Sequence, residues 1–129
     1  MDEKPIRVLL AEDEYVIALA LRGQLESLGY QVIGTPTDGS SAVAMVQELG
    51  PDVVLMDIGL PDLDGIAATE QIMASAPTPV VILSAYTDRQ RVEQAKRAGA
   101  AGYLFKPALA NQIKRAIDQA LAPPGTSTG

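Results

Sequence analysis

The feature of this chain that most constrains its fold is a pair of short, unbroken apolar runs, Val53-Val54-Leu55-Met56 and Val80-Val81-Ile82-Leu83. Neither alternates apolar with polar residues, and both are bounded by turn-forming residues. Each reads as a strand covered on both faces, as in the interior of a parallel sheet flanked by helices. The first run stops at a carboxylate, Asp57, and Gly59 and Pro61 then break regular structure. In an open parallel α/β sheet, ligands bind outside the carboxyl ends of the strands. Asp57 would stand at that mouth. An aspartate there also serves as a plain turn or cap residue, so its meaning depends on how the other strands end.

Taken in order, the chain begins with Ile6-Arg7-Val8-Leu9-Leu10-Ala11, a first buried strand that runs into Glu12-Asp13-Glu14. Ile17, Leu21, Leu25 and Leu28 then form one apolar helical stripe, which Gly29 stops. Gln31-Val32-Ile33-Gly34 is a short strand expected near a sheet edge, followed by a turn through Thr35 to Gly39. Val43, Val46 and Leu49 mark a second helix closed by Gly50-Pro51. Beyond the Val53 strand, Ile66, Thr69, Met73 and Ala76 are expected on one face of a third helix, ended by Pro77-Thr78-Pro79. The Val80 strand ends in Ser84-Ala85. Asp88 is a fitting N-cap for a fourth helix containing Val92 and Ala95, and Gly99 and Gly102 bracket its exit. Tyr103-Leu104-Phe105 is a fifth strand, ending in Lys106-Pro107. Pro107 biases Lys106 to extended backbone and is a place for a cis bond. Leu109, Ile113, Ile117 and Leu121 give a last amphipathic helix. Strand and helix alternate about five times, which predicts an α/β domain with a parallel sheet, helices on both faces and right-handed crossovers. Residues 1–122 form that domain, and 123–129 have the composition of a mobile tail or linker.

Composition removes several chemistries. A chain of 129 residues with 47% hydrophobic content suits one core. Plentiful Gly and Ala with few aromatics suit helices packed closely on a sheet. The net charge of -6 disfavours nonspecific nucleic-acid binding and leaves no polybasic membrane patch. There is no Cys and no His. Disulfides, thiolate metal sites, imidazole ligands and a Ser-His-Asp triad are all excluded. No apolar run reaches membrane-spanning length, and the N-terminus does not resemble a signal peptide, so the cytoplasm is the expected location.

Four predicted strands end in reactive side chains: Glu12 and Asp13, Asp57, Ser84, and Lys106. In a doubly wound sheet all of them face one edge and converge. Three carboxylates without imidazole are hard oxygen ligands, suited to Mg2+, with Mn2+ as an alternative. Without a cation they would repel, and at least one pKa would rise. Acids at a helix N-terminus are also favoured by the helix dipole, and that reading suffices for Glu14. Lys106 would bring a flexible point charge to the cluster. Ser84 is a poor nucleophile without a base and a good donor to an anionic oxygen.

Leu10-Ala11-Glu12-Asp13-Glu14, Met56 through Gly65, Leu83-Ser84-Ala85 and Gly102-Tyr103-Leu104-Phe105-Lys106-Pro107, in this order and spacing, resemble the motifs of the receiver domain of bacterial two-component response regulators. The resemblance runs from Ile6 to about Leu121. It implies a flavodoxin-like (βα)5 three-layer sandwich with strand order 2-1-3-4-5. It implies that Asp57 is the phosphoacceptor and that Asp13 binds Mg2+ directly, with Glu12 doing so directly or through water. Asp57 itself and the Gly59 carbonyl would face the same ion. Lys106 and Ser84 would hold phosphoryl oxygens, and Tyr103 would be a switch aromatic that turns as Ser84 moves. The family often has two aspartates where this chain has Glu12-Asp13, which bears on metal geometry.

The implied partner is a sensor histidine kinase or phosphotransfer protein, since the donor histidine must come from outside this chain. A homodimer through the fourth helix, fifth strand and fifth helix is a further implied association. Such a domain is a phosphoacceptor that promotes its own phosphorylation and dephosphorylation, not a separate enzyme, and Gly59 and Tyr86 flank the site that sets the lifetime. The stretch 86 to 107 loosely resembles receivers fused to RNA-binding antitermination domains. The alternative is a small Mg2+-dependent phosphohydrolase working through an aspartyl phosphate. It usually needs a second acid two residues after the nucleophile, where this chain has Gly59. A flavodoxin-like nucleotide binder would need a glycine loop after the first strand, where Glu12-Asp13-Glu14 stands.

Overall fold

Ten elements alternate along the chain in a computed structural model that describes residues 4–85 and 89–123. They are β1 (Arg7–Ala11), α1 (Tyr15–Ser27), β2 (Gln31–Gly34), α2 (Gly39–Leu49), β3 (Val53–Asp57), α3 (Gly65–Ser75), β4 (Val80–Ser84), α4 (Arg89–Ala98), β5 (Gly102–Phe105) and α5 (Ala110–Ala120). Asp88, Tyr86 and the tail from Pro124 lie outside the described residues. The strands form one sheet of order β2-β1-β3-β4-β5, and every pairing is parallel. The two unbroken apolar runs are its interior: every residue of β3 and β4 is buried. β2 is an edge strand.

Successive residues of a strand point to opposite faces, so the sheet feeds two hydrophobic clusters. Leu9, Val54, Met56 and Ile82 meet Val46, Ala68, Ile72 and Ala95 on one face. Leu10, Leu55 and Leu83 meet Leu21, Leu25, Ile113 and Ile117 on the other. Helices α2, α3 and α4 therefore cover the first face, and α1 and α5 the second. The alanines at 42, 68 and 95 are buried against the sheet, which lets those helices lie close to it.

Two expected stripes are shifted. Leu109 is 62% exposed and precedes α5 in extended backbone. Its N–H donates to the Gln112 side chain at 2.8 Å, so it closes the helix end and does not extend the apolar face. On α3 the buried residues are Gly65, Ala68, Thr69 and Ile72, while Ile66, Met73 and Ala76 border the cluster. This helix packs against both α2 and α4, and its small residues turn toward the sheet. Among the described residues, no helix is long and apolar enough to cross a membrane.

Register sets the carboxyl edge. Ala11 pairs with Met56, Asp57 with Leu83, and Ser84 with Phe105. Hydrogen bonds continue past the strand ends: Ile58 N–H donates to Leu83 O at 2.9 Å and Lys106 N–H to Ser84 O at 2.8 Å. The residues that leave β1, β3, β4 and β5 are thus held side by side.

Candidate functional site

Glu12, the first residue after β1, is 1% exposed, and Asp57, the last of β3, is 7% exposed. Asp13 next to them faces solvent. One carboxylate oxygen from each of the three lies within 4.8 Å of the others. Lys106, from the residue after β5, reaches into this cluster. Its Nζ stands 2.6 Å from Glu12 Oε1 and 2.9 Å from Asp57 Oδ1. The second Glu12 oxygen accepts the Glu14 N–H at 3.1 Å, which ties the acid to the start of α1. Glu14 occupies the N-cap position of that helix without a side-chain cap bond.

Charge in the cluster is not balanced. Burial holds the Glu12 carboxyl above the usual carboxylate range; bonds from Lys106 and the Glu14 N–H oppose this, and Asp57 adds a smaller repulsion. The expected rise of one acid therefore falls on Glu12, and burial outweighs repulsion as its cause. Burial alone would lower Lys106, but its bonds to Glu12 and Asp57 outweigh that and hold it above the usual lysine range. One ammonium faces three carboxylates, so a further cation is electrostatically favoured. The donor set is all oxygen, partly buried and open on the Asp13 side, which fits Mg2+ or Mn2+.

Ser84 is fully buried at the end of β4. Gly59 lies beside Asp57: a Cβ placed on it would stand 3.6 Å from Asp57 Oδ2. Tyr103 pairs with Ile82 across the β4–β5 ladder. It is half-buried against the α2–α3–α4 cluster, and its ring meets Phe105 edge-on at 5.4 Å. The Lys106–Pro107 peptide is cis. Glu12, Asp13, Asp57 and Lys106 thus form one cluster, with Gly59 beside it, Ser84 at the end of the neighbouring strand, and Tyr103 further along β5.

Three features escaped the sequence. The bond from Lys106 to Glu12 is one, and nothing in the spacing of these residues marks it. The close approaches at Gly39 and Gly65 are another: a Cβ on Gly39, the first residue of α2, would collide with Leu63 backbone, and one on Gly65, the first residue of α3, with Asp57 backbone, and no spacing in the sequence marks either. The third is a rim of exposed apolar side chains, Tyr15 at 78%, Val16 at 77% and Leu19 at 57%. These stand off the Ile17-Leu21-Leu25 stripe, and that displacement was a readable signal. Val16 borders a groove of about 530 Å3 between α1 and the β5–α5 connection, lined also by Ile17, Leu21, Lys106 and Pro107, while Tyr15 and Leu19 border a separate recess with Glu12 and Asp13.

The chain matches the family model described as response regulator receiver domain over residues 8–118. It is 40% identical over 118 residues to the transcriptional regulatory protein PdtaR of Mycobacterium tuberculosis, covering 92% of this chain and 58% of that protein. The chain therefore spans under two thirds of the length of that relative. Among solved structures it resembles the response regulator domain of Thermotoga maritima CheB, with TM-score 0.86, 34% identity, and coverage of 94% and 100% of the two chains. It also resembles the receiver domain of the sensor histidine kinase PA1611 from Pseudomonas aeruginosa, whose structure has magnesium coordinated in the active-site cleft. There the TM-score is 0.83, the identity 32%, and the coverage 92% and 98%.

Proposed function

The chain belongs to the response regulator receiver domain family of two-component signalling, and on that footing we propose that Asp57 is its phosphoacceptor. The donor is a phosphohistidine on a sensor histidine kinase or phosphotransfer protein, since this chain has no histidine. A carboxylate oxygen of Asp57 forms a bond to phosphorus while the bond from phosphorus to the donor imidazole nitrogen breaks. The electron pair leaves with the imidazole. The product is a mixed anhydride on Asp57, which water cleaves to return the carboxylate and inorganic phosphate.

Catalysis of this kind is mainly positioning and charge neutralisation. Lys106, 2.9 Å from Asp57, exchanges that contact for a phosphoryl oxygen and moves no proton. The Ser84 hydroxyl donates to a second oxygen. Glu12, Asp13, Asp57 and the Gly59 carbonyl would hold Mg2+, or Mn2+ in its place. When bound, that ion neutralises charge on the transferring group. The exposed rim of Tyr15, Val16 and Leu19, with the groove that leads to Lys106, is the surface on which the donor protein settles.

Phosphorylation adds up to about two negative charges and strong acceptor oxygens beside Asp57. Ser84 and Lys106 satisfy them by moving inward, which is the differential contact that a shift in population requires. Tyr103 turns into the space that Ser84 leaves. The altered surface comprises α4, β5 and α5, read by a partner, a second copy or an attached output segment. The name of PdtaR, a transcriptional regulatory protein, supports an output on gene expression.

The observation that carries this reading is the bridge of Lys106 between Glu12 and Asp57, at 2.6 and 2.9 Å, across strand ends far apart in sequence. The test is labelling by acetyl phosphate. Wild type should gain a hydroxylamine-sensitive phosphoryl group only with Mg2+ or Mn2+, and Asp57→Asn should gain none. Equal labelling of Asp57→Asn would overturn the assignment.

A further inference from the structure

We propose that Gly39, on an element that supplies none of the metal or phosphoryl contacts, is a positioning residue for the metal site. The inference rests on the receiver reading above. The loop that follows Asp57 carries Gly59 and reaches α3 at Gly65, and it is gripped at two places. At its base, Gly65 N–H donates to Ile58 O at 2.9 Å, and a Cβ on Gly65 would stand 2.4 Å from Asp57 O. At its crest, the N–H of Gly39 donates to Pro61 O at 3.3 Å, and the same oxygen accepts Leu63 N–H at 2.8 Å. A Cβ on Gly39 would lie 1.8 Å from Leu63 O and 2.6 Å from Leu63 C. Those are backbone atoms and cannot rotate away as a side-chain tip can.

The space that Gly39 leaves therefore fixes how deeply the loop seats. Asp62 holds a left-handed backbone at φ 71° in the same loop, so the loop has little freedom to absorb a push at its crest. α2 itself is anchored: the Asp38 side chain accepts the Ser41 N–H at 2.7 Å, and Ala42, Val43 and Val46 are buried in the core. A displacement at Leu63 is relayed along the loop toward Gly59 and Asp57 more readily than into α2. Ligand geometry tolerates only about 0.5 Å of error, so the metal affinity should register it.

The experiment is Mg2+ titration of the full chain by calorimetry, with Gly34→Ala as the control. A Cβ on Gly34 would meet the side-chain ends Leu9 Cδ1 at 3.0 Å and Met45 Sδ at 3.3 Å, crowding the core without touching the loop. Gly39→Ala should raise the Mg2+ dissociation constant by roughly tenfold or more, the scale of losing a supporting contact around a metal, while Gly34→Ala lowers thermal stability and leaves Mg2+ binding near wild type. If Gly39→Ala does not fold in buffer, the same titration is run on it, on Gly34→Ala and on wild type in an osmolyte such as trimethylamine N-oxide, which favours the compact state, and Gly39→Ala should again bind Mg2+ more weakly. A folded Gly39→Ala, in buffer or in osmolyte, that binds Mg2+ within about twofold of Gly34→Ala under the same conditions would overturn the inference. The two readings fail separately. If Mg2+ binding weakens in Gly39→Ala while acetyl phosphate fails to label wild type, the phosphoacceptor assignment falls and the positioning role stands.

Discussion

Lys106 spans Glu12 and Asp57 at 2.6 and 2.9 Å, so removing its charge has consequences of opposite sign. Glu12 is almost fully buried and already held above the usual carboxylate range, chiefly by burial. Losing its partner leaves a buried carboxylate uncompensated, and Lys106→Met should cost about 1–3 kcal/mol of stability without Mg2+, measured by urea unfolding. The same substitution removes a positive charge that competes with the ion, so Mg2+ should bind more tightly, by about tenfold, the scale of interaction between charges a few ångströms apart in water-like surroundings. Weaker Mg2+ binding in Lys106→Met would show that the lysine orders the acids more than it competes with the ion. The acids and the lysine were legible in sequence because each ends an apolar run. The Glu12 partnership was not, since it depends on β5 standing three strands from β1, with β3 and β4 between them, and on a side-chain length that no spacing encodes.

At the scale of elements, ends matter more than middles. Arg7, at the start of β1, directs its guanidinium to Gly50 O at 2.8 Å and Leu49 O at 3.0 Å. It thereby satisfies carbonyls at the end of α2, where Gly50 turns left-handed at φ 57°, and its cation faces the negative end of the helix dipole. Arg7→Ala should lower stability by about 1 kcal/mol in denaturant melts and leave the Mg2+ dissociation constant unchanged. Asp38→Ala, which removes the N-cap of the same helix, should cost a similar amount, about 1 kcal/mol. The order and type of all ten elements were legible because strand runs and helical stripes alternate without interruption. The places that differ, Leu109 at the head of α5 and the rotated face of α3, are set by what packs alongside. An amphipathic pattern gives a helix an inner face but cannot say which flank its neighbours will claim, and a capping contact such as that of Arg7 joins residues too distant for periodicity to record.

For the whole molecule, the sheet both separates the two hydrophobic clusters and joins them. Alternate residues of β1, β3 and β4 serve opposite faces: Leu9, Val54 and Ile82 on one, Leu10, Leu55 and Leu83 on the other. Neither cluster can dissolve without stripping one side of strands that the other needs, so damage on either face should be felt by the whole domain. Ile72 in α3 and Ile113 in α5 are both fully buried, one per cluster. Ile72→Ala and Ile113→Ala should each cost about 2–5 kcal/mol. Each should still unfold in one transition, with far-ultraviolet circular dichroism and tyrosine fluorescence coincident. The proposed metal site takes Glu12 and Asp13 from the end of β1 and Asp57 from β3, with Lys106 following β5, so ion binding there should stabilise the same cooperative unit. Mg2+ at 100 times its dissociation constant adds about 2.7 kcal/mol, which for a chain of 129 residues raises Tm by roughly 10 °C. Chelation should remove that gain equally from wild type, Ile72→Ala and Ile113→Ala. A Mg2+ shift retained by one core variant and lost by the other, or a melt that splits in two, would mean that the faces fold separately and that the shared strands do not couple them.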